Sequence, residues 1–267
     1  MTILDGAMGT MIQATVADIP KYPETLNLTA PELISAIHRQ YVEAGSEILC
    51  TNTFICASRR GKYGGYDLEE LTAAAIANAR AAGSVKVALD VGPLGEFMEP
   101  YGEVSETEAR QIFRALGNAA KGADLVYIET MADPREARVA AEELKAASGQ
   151  PLVATFTFPK TGKTYTGATP ADAVKAVEDL ADAVGLNCSL GPVEALPILR
   201  EFRAATSLPI IAKANAGMPD SLGNYAMTPA DFAEAAQALR AAGAEYIGGC
   251  CGTTPDFIKA IKERLAD

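Results

Sequence analysis

The sequence predicts a single-domain (β/α)8 barrel, an α/β fold in which parallel strands alternate with helices. Short apolar runs alternate eight times with Ala-rich segments of helical periodicity. The length of 267 residues is close to the roughly 250 residues of a typical barrel domain. A doubly wound sheet is the alternative, but the turn from Asp5 to Thr10 lacks the G-x-G-x-x-G spacing of its dinucleotide-binding form. No linker or charge block divides the chain, so we expect one domain over residues 1–267.

Each predicted strand is a short apolar run, and each predicted helix has an acidic start or carries Ala, Leu and Val at helical spacing. The strands are Thr2 to Leu4, Glu47 to Cys50, Val85 to Val91, Leu125 to Glu129, Leu152 to Phe156, Ala183 to Asn187, Pro209 to Lys213 and Glu245 to Gly248. The helices are Pro31 to Ala44, Leu68 to Ala82, Thr107 to Lys121, Arg135 to Ala147, Ala171 to Leu180, Val193 to Ala204, Pro229 to Ala241 and Pro255 to Leu265. The long connections Ala7 to Pro31 and Thr51 to Leu68 are expected to form loops at the active face.

The net charge of the chain argues against nucleic acid and anionic membranes as partners. The chain carries 23 Lys and Arg against 34 Asp and Glu, a formal net charge of −11, which repels phosphate backbones and anionic lipid. It has no apolar run of about 18 residues, and Met1 to Asp5 does not resemble the start of a signal peptide. Five cysteines are too sparse for a disulfide framework. We therefore expect a cytoplasmic protein with reduced thiols and with neither nucleic-acid nor membrane partners.

Polar residues and cysteines follow the predicted strands, where barrels of this kind carry their active sites. Cys188 follows the sixth strand, and the adjacent pair Cys250 and Cys251 follows the eighth. These strands are separated by one neighbour in a closed barrel, so the three thiols can converge. Three thiolates with one open position are typical of a catalytic Zn²⁺ site. The alternative is that these cysteines pack a small buried corner.

Five motifs carry a resemblance to a known family. They are D-G-A-M-G-T at Asp5 to Thr10, T-N-T-F at Thr51 to Phe54, G-L-N-C-S at Gly185 to Ser189, K-A-N-A-G-M-P at Lys213 to Pro219 and G-G-C-C-G-T-T-P at Gly248 to Pro255. Together they resemble the zinc-dependent homocysteine S-methyltransferases over essentially the whole chain. Within that family they are most similar to the homocysteine-binding barrel of cobalamin-dependent methionine synthase.

The resemblance implies a set of site residues. Cys188, Cys250 and Cys251 would be the zinc thiolates, and the side-chain oxygen of Asn215 would be a stand-in ligand without substrate. The homocysteine head group would be held by the Gly6 and Ala7 backbone with Asp5 beside it, by Glu129 at the ammonium, and by Thr51 and Asn52 of T-N-T-F. Zinc would keep the homocysteine sulfur deprotonated for attack on a methyl group, so no side-chain general base is needed.

Two positions depart from the usual family pattern, and neither is a proposed zinc thiolate. Cys50 stands before T-N-T-F, where the residue is often acidic or polar, and Ala214 replaces the proline of K-P-N-A-G. We expect Cys50 and Cys56 to be packing residues. His38, the single histidine, is expected on a helix surface or at an interface rather than as a ligand.

The methyl donor is left open by the sequence. The 267 residues contain no folate-binding or cobalamin-binding module, so we expect methylcobalamin carried on a separate corrinoid protein. A small donor, S-methylmethionine or betaine, is the competing enzymatic interpretation. A non-catalytic zinc or corrinoid-partner subunit is the third, against which retention of the three thiols argues. The acceptor could also be a related thiol or selenol.

Overall fold

A computed structural model describes residues 1–58 and 65–266, and it contains the predicted barrel. Eight parallel strands follow one another in the order β1-β8-β7-β6-β5-β4-β3-β2. A parallel bridge between Leu4 and Ile48 joins the first strand to the second and closes the ring. The strands are β1 (Thr2–Ile3), β2 (Ile48–Cys50), β3 (Lys86–Val91), β4 (Leu125–Met131), β5 (Leu152–Phe156), β6 (Ala183–Asn187), β7 (Ile210–Ala214) and β8 (Ala244–Gly249).

The helices surround this ring and run antiparallel to the strands that precede them. Within the described ranges they are α1 (Met8–Thr15), α2 (Leu26–Thr29), α3 (Pro31–Ala44), α4 (Leu68–Arg80), α5 (Glu106–Ala119), α6 (Pro134–Ser148), α7 (Pro170–Val177), α8 (Pro192–Ala205), α9 (Pro229–Ala241) and α10 (Pro255–Leu265). Short 3-10 turns occupy Pro23–Thr25 and Phe54–Ala57. No described helix combines the length and the apolar content needed to cross a membrane.

Local sequence explains where several helices begin. Proline stands at the first position of α6, α7 and α9, where its missing N–H would have no partner in the helix. The residues before them, Asp133, Thr169 and Thr228, accept hydrogen bonds from the first-turn backbone. These caps fix the helix starts, and thereby the loops that lead into them from the strand ends.

The barrel interior is apolar at its lower layers and polar at its upper one. A buried cluster inside the ring includes Leu4, Ile48, Ala88, Leu125, Tyr127, Val153, Ala183 and Ile211. Side chains two residues further along the strands point to the same interior face and are polar, as at Asp90, Glu129 and Lys213. The carboxyl ends of the strands thus present buried polar groups to one face of the barrel.

The structure confirms the predicted barrel and corrects three expectations of detail. The connection Ala7 to Pro31 is not only loop, since it contains α1, anchored in the core by the buried Ile12. His38 is not on a surface, because it lies on the core side of α3 with no exposed area. Cys56 is buried in the core as expected, whereas Cys50 has a different place, described below. Residues 59–64 of the predicted loop Thr51 to Leu68 lie outside the described residues.

Candidate metal and substrate site

Three thiols meet at the strand ends, as the sequence predicted. The sulfur atoms of Cys188, Cys250 and Cys251 all lie within 4.8 Å of one another, and Cys188 Sγ is 3.7 Å from Cys251 Sγ. The backbone of β7 holds both loops in place. Cys188 N–H donates to the Lys213 carbonyl at 3.0 Å, and Cys250 N–H donates to the Ala214 carbonyl at 2.7 Å. Strand β7, which lies between β6 and β8, therefore sets the spacing of the three thiols.

The backbone around the thiols is held in conformations that most residues avoid. Cys188 and Ser189 have φ values of 60° and 57°, in the left-handed region. Gly252 follows Cys251 with φ of 80°, and a Cβ there would lie 2.3 Å from Cγ of Tyr225. Strain of this kind costs on the order of 1–3 kcal/mol per residue and is concentrated at functional sites. These backbone conformations turn the three sulfur atoms toward one point.

The donor set fits a zinc ion. With Zn–S bonds of about 2.3 Å in a tetrahedron, two sulfur ligands lie about 3.8 Å apart, close to the Cys188–Cys251 separation. Hydrogen bonds from the Cys188 and Cys250 thiols lower the pKa of Cys251 to about 3, so one thiolate is already stabilised. Asn215 Oδ1 is buried and has no hydrogen-bond partner within the described residues. Three soft ligands and one spare oxygen are the composition of a zinc site with an exchangeable position.

A cavity of about 730 Å³ opens beside the thiols at the carboxyl ends of the strands. Nine of the ten predicted site residues line it, and the tenth, Asn215, does not. The nine are Asp5, Gly6, Ala7, Thr51, Asn52, Glu129, Cys188, Cys250 and Cys251. Five residues that were not predicted to belong to the site also line the cavity, namely Glu24, Cys50, Asp90, Lys213 and Tyr225.

A buried ion pair forms the floor of the cavity. Lys213 Nζ lies 3.0 Å from Asp5 Oδ1, and both side chains are almost fully buried. Burial alone favours the neutral amine, but the Asp5 carboxylate raises the pKa of Lys213 well above its usual value. The second Asp5 oxygen accepts from Cys50 N–H at 2.7 Å. Asp5, expected to bind the substrate, therefore already holds Lys213 and the end of β2.

Cys50 is a site residue, contrary to the expectation that it only packs. Its Sγ lies 3.4 Å from Lys213 Nζ, and its side chain lines the cavity. Burial and the nearby Asp5 charge raise its pKa, so it stands as a neutral thiol. Its position follows from strand register, since Cys50 pairs with Ala88 and points into the barrel. Cys50 thus adds a thiol to the cavity wall next to the ammonium of Lys213.

Glu129 is held at the end of β4 by an amide that also fixes the next turn. Asn187 Nδ2 lies 3.4 Å from Glu129 Oε2 and donates to Thr130 Oγ1 at 2.7 Å. Asn187 Oδ1 accepts from Thr130 N–H and Thr155 Oγ1, both at 2.8 Å. Burial raises the pKa of Glu129, against the lowering effect of Lys213. The Glu129 carboxylate is therefore held in one orientation and shielded from solvent, which suits the binding of an ammonium group.

The turn after β1 is rigid and tightly packed. Ala7 N–H donates to Thr253 Oγ1 at 3.2 Å, and Tyr41 Oη donates to the Ala7 carbonyl at 3.1 Å. A Cβ on Gly6 would lie 2.8 Å from Thr253 Oγ1 and from a Tyr41 ring carbon, so glycine is required. The β8 loop with its two cysteines and the β1 turn are therefore locked together through Thr253.

Thr51 and Asn52 support the cavity wall through bonds to the surrounding backbone. Thr51 Oγ1 accepts from Asp90 N–H at 3.0 Å and shares a hydrogen bond with Thr53 Oγ1. Asn52 Nδ2 donates to the Pro23 carbonyl at 3.1 Å, beside Glu24. T-N-T-F thus ties β2 to β3 and to the turn at Pro23–Thr25.

Asp90 and Glu24 were missed for different reasons. Asp90 lies inside the predicted strand Val85 to Val91, where a charged residue near the carboxyl end was an available signal. Glu24 lies in a connection predicted to be loop, and its cavity position depends on Ile55, 31 residues away, whose N–H donates to Glu24 Oε1 at 3.1 Å. No local pattern marks such a contact.

The fold and the site define a class, an α/β barrel with three thiols close enough together to hold a metal ion at the carboxyl ends of its strands. Within that class the chain belongs to the homocysteine S-methyltransferase family, whose profile matches residues 2–265. The methionine synthase of Mycobacterium leprae is 33% identical over 291 residues, covering 98% of this chain. This chain spans about a quarter of that relative's length, 24%.

Solved structures agree with this family assignment. The metallated homocysteine methyltransferase MmuM from Escherichia coli is 27% identical, has a TM-score of 0.85, and is matched over 99% of this chain and 96% of its own. The apo form of the same protein, also 27% identical, gives a TM-score of 0.77 over 99% of this chain and 95% of its own. The present structure thus matches both forms of that protein over nearly its whole length.

Proposed function

We propose that this chain is a zinc-dependent methyltransferase that converts homocysteine to methionine, with residues 1–267 forming the homocysteine-binding barrel. The observation that carries the proposal is the convergence of Cys188, Cys250 and Cys251 beside the cavity. Zinc held by these thiolates would keep the homocysteine sulfur deprotonated at neutral pH. The fold match to MmuM, whose structure is known in a metallated form, supports a metal at the same face of the barrel.

The chain's own residues would bind and orient homocysteine. Glu129, fixed by Asn187, would hold the ammonium, and the backbone at Gly6 and Ala7 would receive the carboxylate. Asn215 would supply the stand-in oxygen before substrate arrives. Asp5, Thr51 and Asn52, which line the same cavity, would complete the binding site for the head group. A sulfur deprotonated by zinc would need no side-chain base.

The first candidate for the methyl donor is methylcobalamin on a separate corrinoid protein. Likeness to the methionine synthases supports this donor. A partner surface is available as well, since seven of the nine exposed large apolar side chains in the described ranges lie between a strand end and the main helix after it. They are Ile19, Tyr66, Phe97, Tyr101, Tyr165, Met218 and Leu222. Because these loops all leave the carboxyl ends of the strands, a partner that docks there would meet apolar side chains.

The second candidate is a small donor, S-methylmethionine or betaine, that enters the cavity directly. The volume of about 730 Å³ and the carboxylates in its wall favour a cationic second ligand beside homocysteine. The cytoplasmic location expected from cysteine usage stays a prediction.

The test is methionine formation by protein that is either zinc-loaded or stripped by a chelator. Homocysteine is supplied with methylcobalamin, S-methylmethionine and betaine in turn. The proposal predicts methionine from at least one donor with the zinc-loaded protein, and loss of that activity on stripping. Zinc bound without methyl transfer from any donor would contradict it and favour the non-catalytic subunit. Transfer only to another thiol would overturn the choice of homocysteine as acceptor.

A further inference from the structure

Two carboxylates in the cavity wall have no place in the proposed binding of homocysteine. Glu24, in the 3-10 turn Pro23–Thr25, is 3% exposed, and its Oε2 has no hydrogen-bond partner among the described residues. Asp90, at the end of β3, is 5% exposed, and its Oδ1 also lacks a partner in that part of the chain. Both residues line the cavity. Each therefore brings a buried, unsatisfied carboxylate oxygen to a space that a ligand can enter.

The cavity wall lacks the positive charge to balance them. Its described residues include four carboxylates, Asp5, Glu24, Asp90 and Glu129, and one ammonium, that of Lys213. Lys213 is paired with Asp5 at 3.0 Å. Burial and the neighbouring Glu129 raise the pKa of Asp90, and burial raises the pKa of Glu24. Carboxylates buried without counter-charge are costly, and a cationic ligand would remove that cost.

Homocysteine brings one ammonium, which the proposed function assigns to Glu129. Strand order separates the remaining pair from the thiols. Asp90 is on β3, which lies opposite β7 in the eight-stranded ring, whereas the thiols follow β6 and β8 on either side of β7. Glu24 is tied to the same side as Asp90 by Ile55, just beyond β2. A cavity of about 730 Å³ exceeds what one small amino acid fills.

We propose that Glu24 and Asp90 form a second ammonium subsite, which holds a methyl donor bearing a primary amine beside homocysteine. This inference rests on the proposed function of the same cavity. The subsite is across the barrel from the thiols, so it would bind an amine remote from the transferred methyl group. The positive charge of the methyl-bearing group is lost during the transfer. Carboxylates beside that group would stabilise the reactant more than the transition state and would slow the step.

The donor class that fits is an amine-bearing sulfonium. The homocysteine thiolate donates an electron pair to the methyl carbon, and the bond from that carbon to the sulfonium sulfur breaks with its pair left on the donor sulfur. Both products are thioethers, and no oxidant or reductant takes part. Betaine fits less well, because it has no primary amine and its one cationic group is the trimethylammonium that carries the methyl group to be transferred.

The experiment compares two donors in the zinc-loaded protein, S-methylmethionine and its deamino analogue, in which hydrogen replaces the α-amine. For wild type we expect the analogue to have at least a tenfold higher KM. Asp90→Asn and Glu24→Gln should each raise the KM for S-methylmethionine at least fivefold and leave the KM for the analogue unchanged. The KM for homocysteine should change less than twofold.

Two control variants are compared with Asp90→Asn and Glu24→Gln. Glu129→Gln should give the opposite result, a higher KM for homocysteine with little change for the donor. Glu245→Gln removes a carboxylate from the exposed Arg203 pair outside the cavity and should change neither KM. The comparison of the two donors in wild type needs no variant, so it tests the proposal even if a variant fails to fold.

The contradicting results are distinct from failure of the proposed function. If Asp90→Asn and Glu24→Gln raise the KM for homocysteine but not for S-methylmethionine, the pair serves homocysteine and the second subsite is wrong. Equal KM values for the two donors in wild type, or methionine formation from methylcobalamin but not from S-methylmethionine, also overturn it. In each of these three cases zinc-dependent methylation stands. Absence of methylation with every donor would instead overturn the proposed function.

Discussion

The two sides of the cavity attract cations by different means. On the thiol side, three sulfur atoms lie within 4.8 Å of one another and are set by the backbone of β7. On the carboxylate side, Glu24 and Asp90 each have one oxygen without a partner in the described structure. Clustered soft thiolates select a metal ion, whereas separate hard carboxylates suit an ammonium group. The same cavity can therefore bind a metal ion on its thiol side and an ammonium group on its carboxylate side.

The largest expected effect is on the thiol side. Replacing Cys251 by Ala should abolish both zinc binding and methyl transfer, because two thiolates rarely retain catalytic zinc against chelators. Metal analysis after dialysis should give about one Zn²⁺ per chain in wild type and none in the variant. Cys56→Ala is the matched control, since Cys56 is buried outside the cavity wall, and it should keep its zinc. Full zinc occupancy in Cys251→Ala would show that the two sides do not differ as described.

A smaller effect is expected at the ion pair between the two sides. Lys213→Met should destabilise the fold by about 3–5 kcal/mol, because it leaves the Asp5 carboxylate buried without its partner. Urea unfolding would measure the loss, and adding Asp5→Asn to the same chain should recover part of it. If Lys213→Met left the stability unchanged, the Asp5 carboxylate would not depend on this ion pair, and the description of the cavity floor would be wrong.

A variant of Glu129 should affect substrate binding without affecting metal binding. Glu129→Gln should weaken homocysteine by about 2 to 3 kcal/mol, the scale of a charge-assisted buried contact, while zinc content stays unchanged. Calorimetric titration of the zinc-loaded protein with homocysteine gives the affinity. An unchanged affinity would move the ammonium to another carboxylate, and Asp90 on the neighbouring strand would be the first to test.

The smallest expected effect comes from His38, which lies behind the site in α3. Burial lowers the pKa of His38 to about 4, with Asp5 opposing the shift. Below pH 6.5 the unfolded chain therefore binds a proton that the folded chain does not, so stability is lost as the pH falls toward 4. Between pH 7 and pH 5 this amounts to about 2 kcal/mol.

His38→Leu should remove this acid dependence. Neither ring nitrogen has a hydrogen-bond partner in the described ranges, so an apolar side chain costs no bond there. The measurement is the free energy of unfolding of both proteins at pH 7 and pH 5. An equal loss in both would show that His38 is protonated in the fold.

Sequence reasoning found the thiol side and missed the carboxylate side for a physical reason. Cys250 and Cys251 stand in a glycine-rich motif at a strand end, so both their chemistry and their place are local properties. Asp90 shares its strand with apolar residues, and its role appears only when β4 brings Glu129 beside it. Glu24 depends on a contact with Ile55 that no spacing predicts. The barrel itself was predictable because each strand and helix carries its own periodicity.

The central claim is that the three thiols bind zinc and leave a position for the homocysteine sulfur. X-ray absorption at the zinc edge, with and without selenohomocysteine, tests this most directly because selenium is distinguishable from sulfur. We predict three sulfur ligands and one lighter ligand at rest, and replacement of the lighter ligand by one selenium when the analogue binds. A zinc environment unchanged by saturating selenohomocysteine, or one with fewer than three sulfur ligands at rest, would contradict the account.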